Sequence, residues 1–460
     1  MTTISRRTLW NFAIPAGVVT GVVYSLSPLT VVCLAGMTAV VLWAQRGVEG
    51  DERRWLTAIL VVAITMRVLA VAGLFVITDH ARVPFGSFFG DEEYFIKRSI
   101  WLRNVALGIP LHGADLIYAF DEYSSTTYLY VLAFIQALTG PAPYGVHLLG
   151  IGFYLGAVVV LYRLVRSTLG RMPALVGLVA LLFLPTQFAW SISALKDPLF
   201  FLLTAVSVVL TAKIVRGPGW RARVLSALAV VVLAAALETI RQAGGILCAA
   251  GVVIGLLTAF IVQRPRLLLA TVVVLPIAAG AMLSRPAAQM AAYKAVQAAA
   301  RQHWGHVATP GYVYHLLDPR LYPDRSEIED LHFGEAARFV ERAVERYVTV
   351  PLPWETQSAS ALLYMPEQII WYLLVALAPV GLVLAMRRDA VIASLLFAQS
   401  IVAAATIALT SGNVGTLVRH RGLALPYFIW LCAVALCDLV ALARRGRSAV
   451  LVSSVVPVNS

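Results

Sequence analysis

The stretch EQIIWYLLVALAPVGLVLAMRRDAVIASLLFAQSIVAAATIAL, from Glu367 to Leu409, decides the fold class. Two apolar runs are parted only by Arg387, Arg388 and Asp389, and each supplies the roughly 20 residues a bilayer-spanning helix needs. Runs of the same kind recur along almost the whole chain. With 60% hydrophobic residues, 13% charged residues and a mean hydropathy of +0.81, the composition lies far from that of water-soluble domains. An all-α polytopic membrane protein is therefore expected, because a helix satisfies its own backbone hydrogen bonds in hydrocarbon.

Working outward from that pair, the apolar runs place spans at Leu9 to Leu26, Leu29 to Ala44, Trp55 to Thr78, Pro143 to Tyr162, Pro173 to Trp190 and Pro198 to Thr211. They continue at Val224 to Thr239, Ala243 to Val262, Leu267 to Leu283, Glu367 to Met386, Ala390 to Leu409 and Gly422 to Leu442. That makes about twelve spans. The basic start at Arg6 and Arg7 leads through one apolar run directly into another, so a cleaved signal peptide is not expected.

The loops sort by charge. Arg46, Arg53 and Arg54, then Arg163, Arg166 and Arg171, then Lys213, Arg216, Arg221 and Arg223, then Arg264 and Arg266, then Arg387 and Arg388 fall on alternate connections, with Arg444, Arg445 and Arg447 behind the last span. Positive loops mark the cytoplasmic side. The formal charge of +12 thus reports topology, and nucleic acid is not an expected partner. The four cysteines, Cys33, Cys248, Cys432 and Cys437, fall in apolar runs without zinc or disulfide spacing and read as small core residues. Tyr128 to Leu138 is too short to span, and counting it would break the charge alternation, so an interfacial or re-entrant helix is expected there.

Four segments follow: an N-terminal transmembrane hairpin over 1–54, a transmembrane core over 55–284 with a first outer loop at 79–142, an extracytoplasmic helical segment over 285–366, and C-terminal spans with a cytoplasmic tail over 367–460. In the third segment an Ala-rich stretch, Pro286 to Gln302, and an amphipathic stretch, Ser326 to Val348, predict a small helical subdomain resting on the membrane.

The chemistry-bearing residues gather on the outer side. Directly after the third span stands Phe88-Phe89-Gly90-Asp91-Glu92-Glu93-Tyr94-Phe95. A carboxylate there can take a proton from a hydroxyl nucleophile; the same acids would also suit the start of a helix running through Arg103. Asp121 and Glu122 form a second acidic pair, equally suited to capping. Lys196, Arg241 and the Arg419-His420-Arg421 triplet are cations on the face where few are expected, near outer span ends where they can meet an anion or snorkel to headgroups. Lys196 with Asp197, and Glu238 with Arg241, could instead be internal ion pairs, and Arg67 and Asp438 lie inside spans as a structural pair or cavity residues.

On these motifs the chain resembles the GT-C superfamily of membrane glycosyltransferases, in the style of bacterial relatives of dolichyl-phosphate-mannose protein mannosyltransferases and lipid A aminoarabinose transferases. The resemblance runs from about Trp55 to Leu442. It lies in Gly90-Asp91-Glu92, in Leu138-Thr139-Gly140, in Ser193-Ala194-Leu195-Lys196-Asp197-Pro198, in Ile240-Arg241, and in Val418-Arg419-His420-Arg421 with Pro426. It implies a GT-C-like bundle with juxtamembrane helices in a bacterial plasma membrane, with the active site facing the periplasm. The implied reaction is inverting transfer of a sugar from a polyprenyl-phosphate donor to an acceptor hydroxyl. By resemblance, Asp91, with Glu92 as the alternative carboxylate, is the base. Lys196, Arg241, Arg419, His420 and Arg421 hold the lipid phosphate, and Glu93, Tyr94, Asp121 and Glu122 are acceptor-side or second acidic candidates. No cofactor is expected, although Asp91 with Glu92 or Asp121 could hold a divalent cation. The competing functions are a lipid-linked sugar flippase or other transporter, and a glycan polymerase or ligase using a polyprenyl diphosphate donor.

Overall fold

A computed structural model describes residues 13–21, 27–83, 86–121, 126–309, 311–352, 354 and 359–454. Among them all regular structure is helical, apart from an isolated bridge between Val313 and Asn413. Among the described residues nine helices are long and apolar enough to cross a membrane, which makes the chain a multi-pass membrane protein.

Numbered from Pro28, α1 is Pro28–Ala44, α2 Gly50–Ile77, α3 Glu92–Ala106, α4 Gly113–Ala119, α5 Thr127–Thr139, α6 Pro143–Thr168, α7 Arg171–Phe183, α8 Pro185–Ser191 and α9 Asp197–Arg216. Then come α10 Trp220–Ile240, α11 Gly244–Val262, α12 Pro265–Leu283, α13 Pro286–Val307, α14 Phe333–Thr349, α15 Ala359–Arg388, α16 Ala390–Thr410 and α17 Val414–Ser454. Of the span expected over Leu9 to Leu26, residues 13–21 are described and helical.

Three expectations change in detail. The span expected over Pro173 to Trp190 is broken at Leu184, which is extended because the ring of Pro185 disfavours the helical conformation in the preceding residue. The stretch Tyr128 to Leu138 is the 13-residue helix α5, capped by Thr126 Oγ1 accepting from Tyr128 N–H at 3.1 Å. The last span begins at Val414 instead of Gly422, so Arg419, His420 and Arg421 stand inside a helix.

The chain forms two compact units that interleave along the sequence: residues 1–161, 187–207 and 228–245 make one, and residues 162–186, 208–227 and 246–460 the other. In the first, α3 packs on α5, and α1 on α2 and α5. Arg67, fully buried in α2, donates from Nε to Ser191 Oγ at 2.7 Å and lies 4.8 Å from the Phe188 ring. Gly150 of α6 is needed for close approach, since a Cβ there would stand 2.5 Å from Ser193 O.

In the second unit α16 and α15 both pack on α17, and α13 and α14 pack on α16. Two basic clusters assigned to the cytoplasmic side are ion-paired, Arg216 with Asp389 and Arg388 with Asp438, so Asp438, inside α17, is a pairing residue. All four cysteines are free, three of them buried. The Ala-rich and amphipathic stretches are the helices α13 and α14.

Candidate functional site

The first unit brings the acidic motif and the Ser193–Lys196 stretch together. Residues 86–91 form an irregular loop ahead of α3, and residues 192–196 form another between α8 and α9. Gly86 (φ +64°) and Gly90 (φ +22°) take the left-handed backbone that the first loop requires. A Cβ on Gly86 would also collide with the Tyr144 ring.

Glu92 ties the two loops to each other. Its carboxylate is fully buried and accepts from the backbone N–H of Phe88 (2.8 Å), Phe89 (3.0 Å) and Ala194 (2.8 Å), the last 102 residues away in the chain. Carboxylate oxygens are strong acceptors, and three backbone donors compensate their removal from water. His147 of α6 adds a second tie, with Nδ1 3.0 Å from Ile192 O and Nε2 2.9 Å from Gly86 O. Phe88 stacks on its ring at 4.5 Å. Tyr128 of α5 adds a third, its hydroxyl donating to Ala194 O at 3.0 Å.

The three neighbouring carboxylates thereby have separate tasks. Glu92 holds backbone with both oxygens, which gives it a different task from the alternative base or metal ligand expected from sequence. Glu93 pairs with Lys97 one turn along α3. Asp91 is exposed and occupies the N-cap position without a side-chain capping bond, so the helix-start explanation of this acid is not realised through hydrogen bonding. Lys196 is partly exposed at the end of the second loop, its Nζ 6.0 Å from the Phe95 ring centroid.

Arg241 forms an ion pair with Asp197 at 3.0 Å, while Glu238 accepts from Ala243 N–H and Gly245 N–H and closes the turn after α10. Arg241 is therefore internally paired, but with Asp197 where the sequence suggests Glu238. Tyr94 lies under the guanidinium of Arg98 at 4.7 Å, and Arg98 donates to the carbonyls of Ala119 and Asp121. Glu122 lies outside the described residues.

In the second unit Arg421 is buried and binds protein groups. It donates to the carbonyls of Tyr347 and Val350, where α14 ends, and to Gln368 Oε1 at 3.0 Å, with Trp371 stacked 4.7 Å away. A guanidinium at a helix C-terminus satisfies carbonyls the helix leaves open and offsets its dipole. That is a structural task in place of the phosphate contact expected from sequence. Arg419 and His420 are half-buried on the same helix. Glu367 accepts from Thr186 N–H at 2.8 Å and from its hydroxyl.

The residues before α17 are sewn to the end of α13. His303 Nδ1 meets Ser411 O, His303 Nε2 accepts from Leu316 N–H at 3.3 Å, and His306 Nδ1 is 2.7 Å from Thr410 O. Burial pushes the His303 imidazole down to about 4. The folded state therefore binds fewer protons than the unfolded chain between pH 4 and 6.5. The stability from this neutral histidine is complete above pH 6.5 and is lost as the pH falls toward 4. The expected size is on the order of 3 kcal/mol. Thermal unfolding in detergent at pH 7 and pH 4.5 checks it: the midpoint falls further for the native protein than for His303→Asn, and equal falls would remove His303 as the cause.

His147 and Tyr128 were not singled out by sequence. A lone histidine in an apolar span is a signal that could have found the first; a tyrosine in an aromatic stretch gives none. Among the described residues no group of three or more His, Cys, Asp or Glu side chains forms a metal-binding set.

Compared with family models, with curated proteins and with solved structures, the chain matches none.

Proposed function

We propose that this chain is a membrane glycosyltransferase of about twelve spans that moves a sugar from a polyprenyl-phosphate donor to an acceptor hydroxyl on the extracytoplasmic face of a bacterial plasma membrane. The observation that carries the reading is the Glu92 carboxylate joining the acidic loop to the Ser193–Lys196 loop, which frames an exposed acid with a partly exposed cation. Asp91 is the base that takes the acceptor proton as oxygen attacks the anomeric carbon. Lys196 meets the lipid phosphate, which gains charge as the glycosidic bond breaks. Arg241 stands beside it, sharing its charge with Asp197. Arg421, in the second unit, instead holds the end of α14. One base and a phosphate leaving group suffice for single displacement with inversion.

The test is product analysis with purified protein and a polyprenyl-phosphate sugar. Release of polyprenyl phosphate with an inverted product supports the proposal. Turnover only in a parallel assay with a polyprenyl-diphosphate glycan, releasing polyprenyl diphosphate, would assign a polymerase or ligase, and movement of intact donor between leaflets a flippase.

A further inference from the structure

In the second unit a cavity of about 250 Å³ lies beneath α14. Its wall includes Val344 and Tyr347 of α14, Trp371 of α15, Ile401 and Ala404 of α16, and Phe428 of α17. Of the polar groups on its lining residues, the buried Tyr347 hydroxyl has no hydrogen-bond partner among the described residues and offers a water one partner at most, and the other two are used. Ser400 Oγ donates to Leu396 O at 2.9 Å, and Trp371 Nε1–H donates to Val348 O at 3.0 Å. A buried water needs two to four polar partners, so this chamber does not suit water. Left empty, it would deprive every wall atom of dispersion contacts.

Ala404, Ala405 and Ala408 open the space by their small size on α16. The wall is also continuous with outward-facing apolar surface: Val344 is 62% exposed and Ile401 47%. Three of the four helices that build it, α15, α16 and α17, contain spans apolar enough to cross a membrane. A bilayer around those three spans would border the Ile401 side of the mouth, and hydrocarbon is the material an apolar wall accepts.

We propose that the cavity is a lipid site that seats one acyl chain of a bilayer phospholipid, entering past Val344 and Ile401 and ending against Trp371. The seat is independent of the transferase proposal, because no residue assigned to catalysis lines it.

The experiment follows tryptophan emission of the purified, delipidated protein in detergent during titration with phosphatidylcholine brominated on one acyl chain. Trp371 is 6% exposed, so only a seated chain reaches it closely. The expected result is a saturable quenching step at one equivalent of lipid, above the gradual background from lipid-facing tryptophans. Ala404→Phe and Ala405→Phe fill the chamber, and each is expected to weaken that step about tenfold or more. Quenching that rises without saturation, or a step unchanged in both filled variants, overturns the proposal. So does a saturable step given by a brominated polyprenyl lipid and not by the phospholipid. Should a substitution prevent folding, the native titration decides alone, saturation supporting the site and a linear course rejecting it.

Discussion

Asp91→Asn is expected to lower sugar transfer by about 10²–10⁴-fold while donor binding is retained, the range over which a positioned base contributes to a proton-transfer step. The substitution keeps size and polarity, and it removes the negative charge together with the ability to accept a proton. Because the Asp91 side chain makes no capping hydrogen bond to α3, loss of such a bond is not a cause, and the unfolding midpoint reads the contribution of its charge to the helix start. The assay needs separate measurements of donor binding, turnover and unfolding midpoint. Turnover close to native would take Asp91 out of the proton-transfer role, and lost turnover with lost donor binding would point to a damaged loop instead.

Glu92→Ala carries the second large effect, and its origin is structural. Three backbone N–H groups, of Phe88, Phe89 and Ala194, lose their shared acceptor in a region where Glu92 itself has no exposure. An orphaned buried donor costs about 1–3 kcal/mol, so a loss of at least about 3 kcal/mol is expected unless water enters. The unfolding midpoint should fall, and limited proteolysis should open the chain near Ser193–Lys196. Glu92→Gln, which retains one carbonyl oxygen but turns a donor toward other donors, should fall between native and Ala. A native midpoint together with native protection would show that the two loops are held by other means.

The membrane character was legible in the sequence because it depends on runs of side chains facing a uniform solvent, and residues from Trp55 to Ile77 or from Ala390 to Leu409 carry that information locally. The break at Leu184 was also open to reading, since Pro185 restricts the residue before it. The different tasks of Asp91, Glu92 and Glu93 were not. Three acids in a row are alike until the backbone decides which one turns inward, and that choice depends on Ala194, a hundred residues downstream. Arg421 misled for a related reason. A cation near an outer span end suits a phosphate equally well as the carbonyls of Tyr347 and Val350, and only the position of α14 separates the two.

One helix stands apart from these constraints. α12, Pro265–Leu283, buries none of its side chains. Its sequence is consequently answerable to the lipid alone: exchange of Val272, Leu275 or Ile277 for another aliphatic residue should leave the protein unaffected, whereas shortening the helix would change the parity of crossings and deliver everything from Pro286 onward to the opposite compartment.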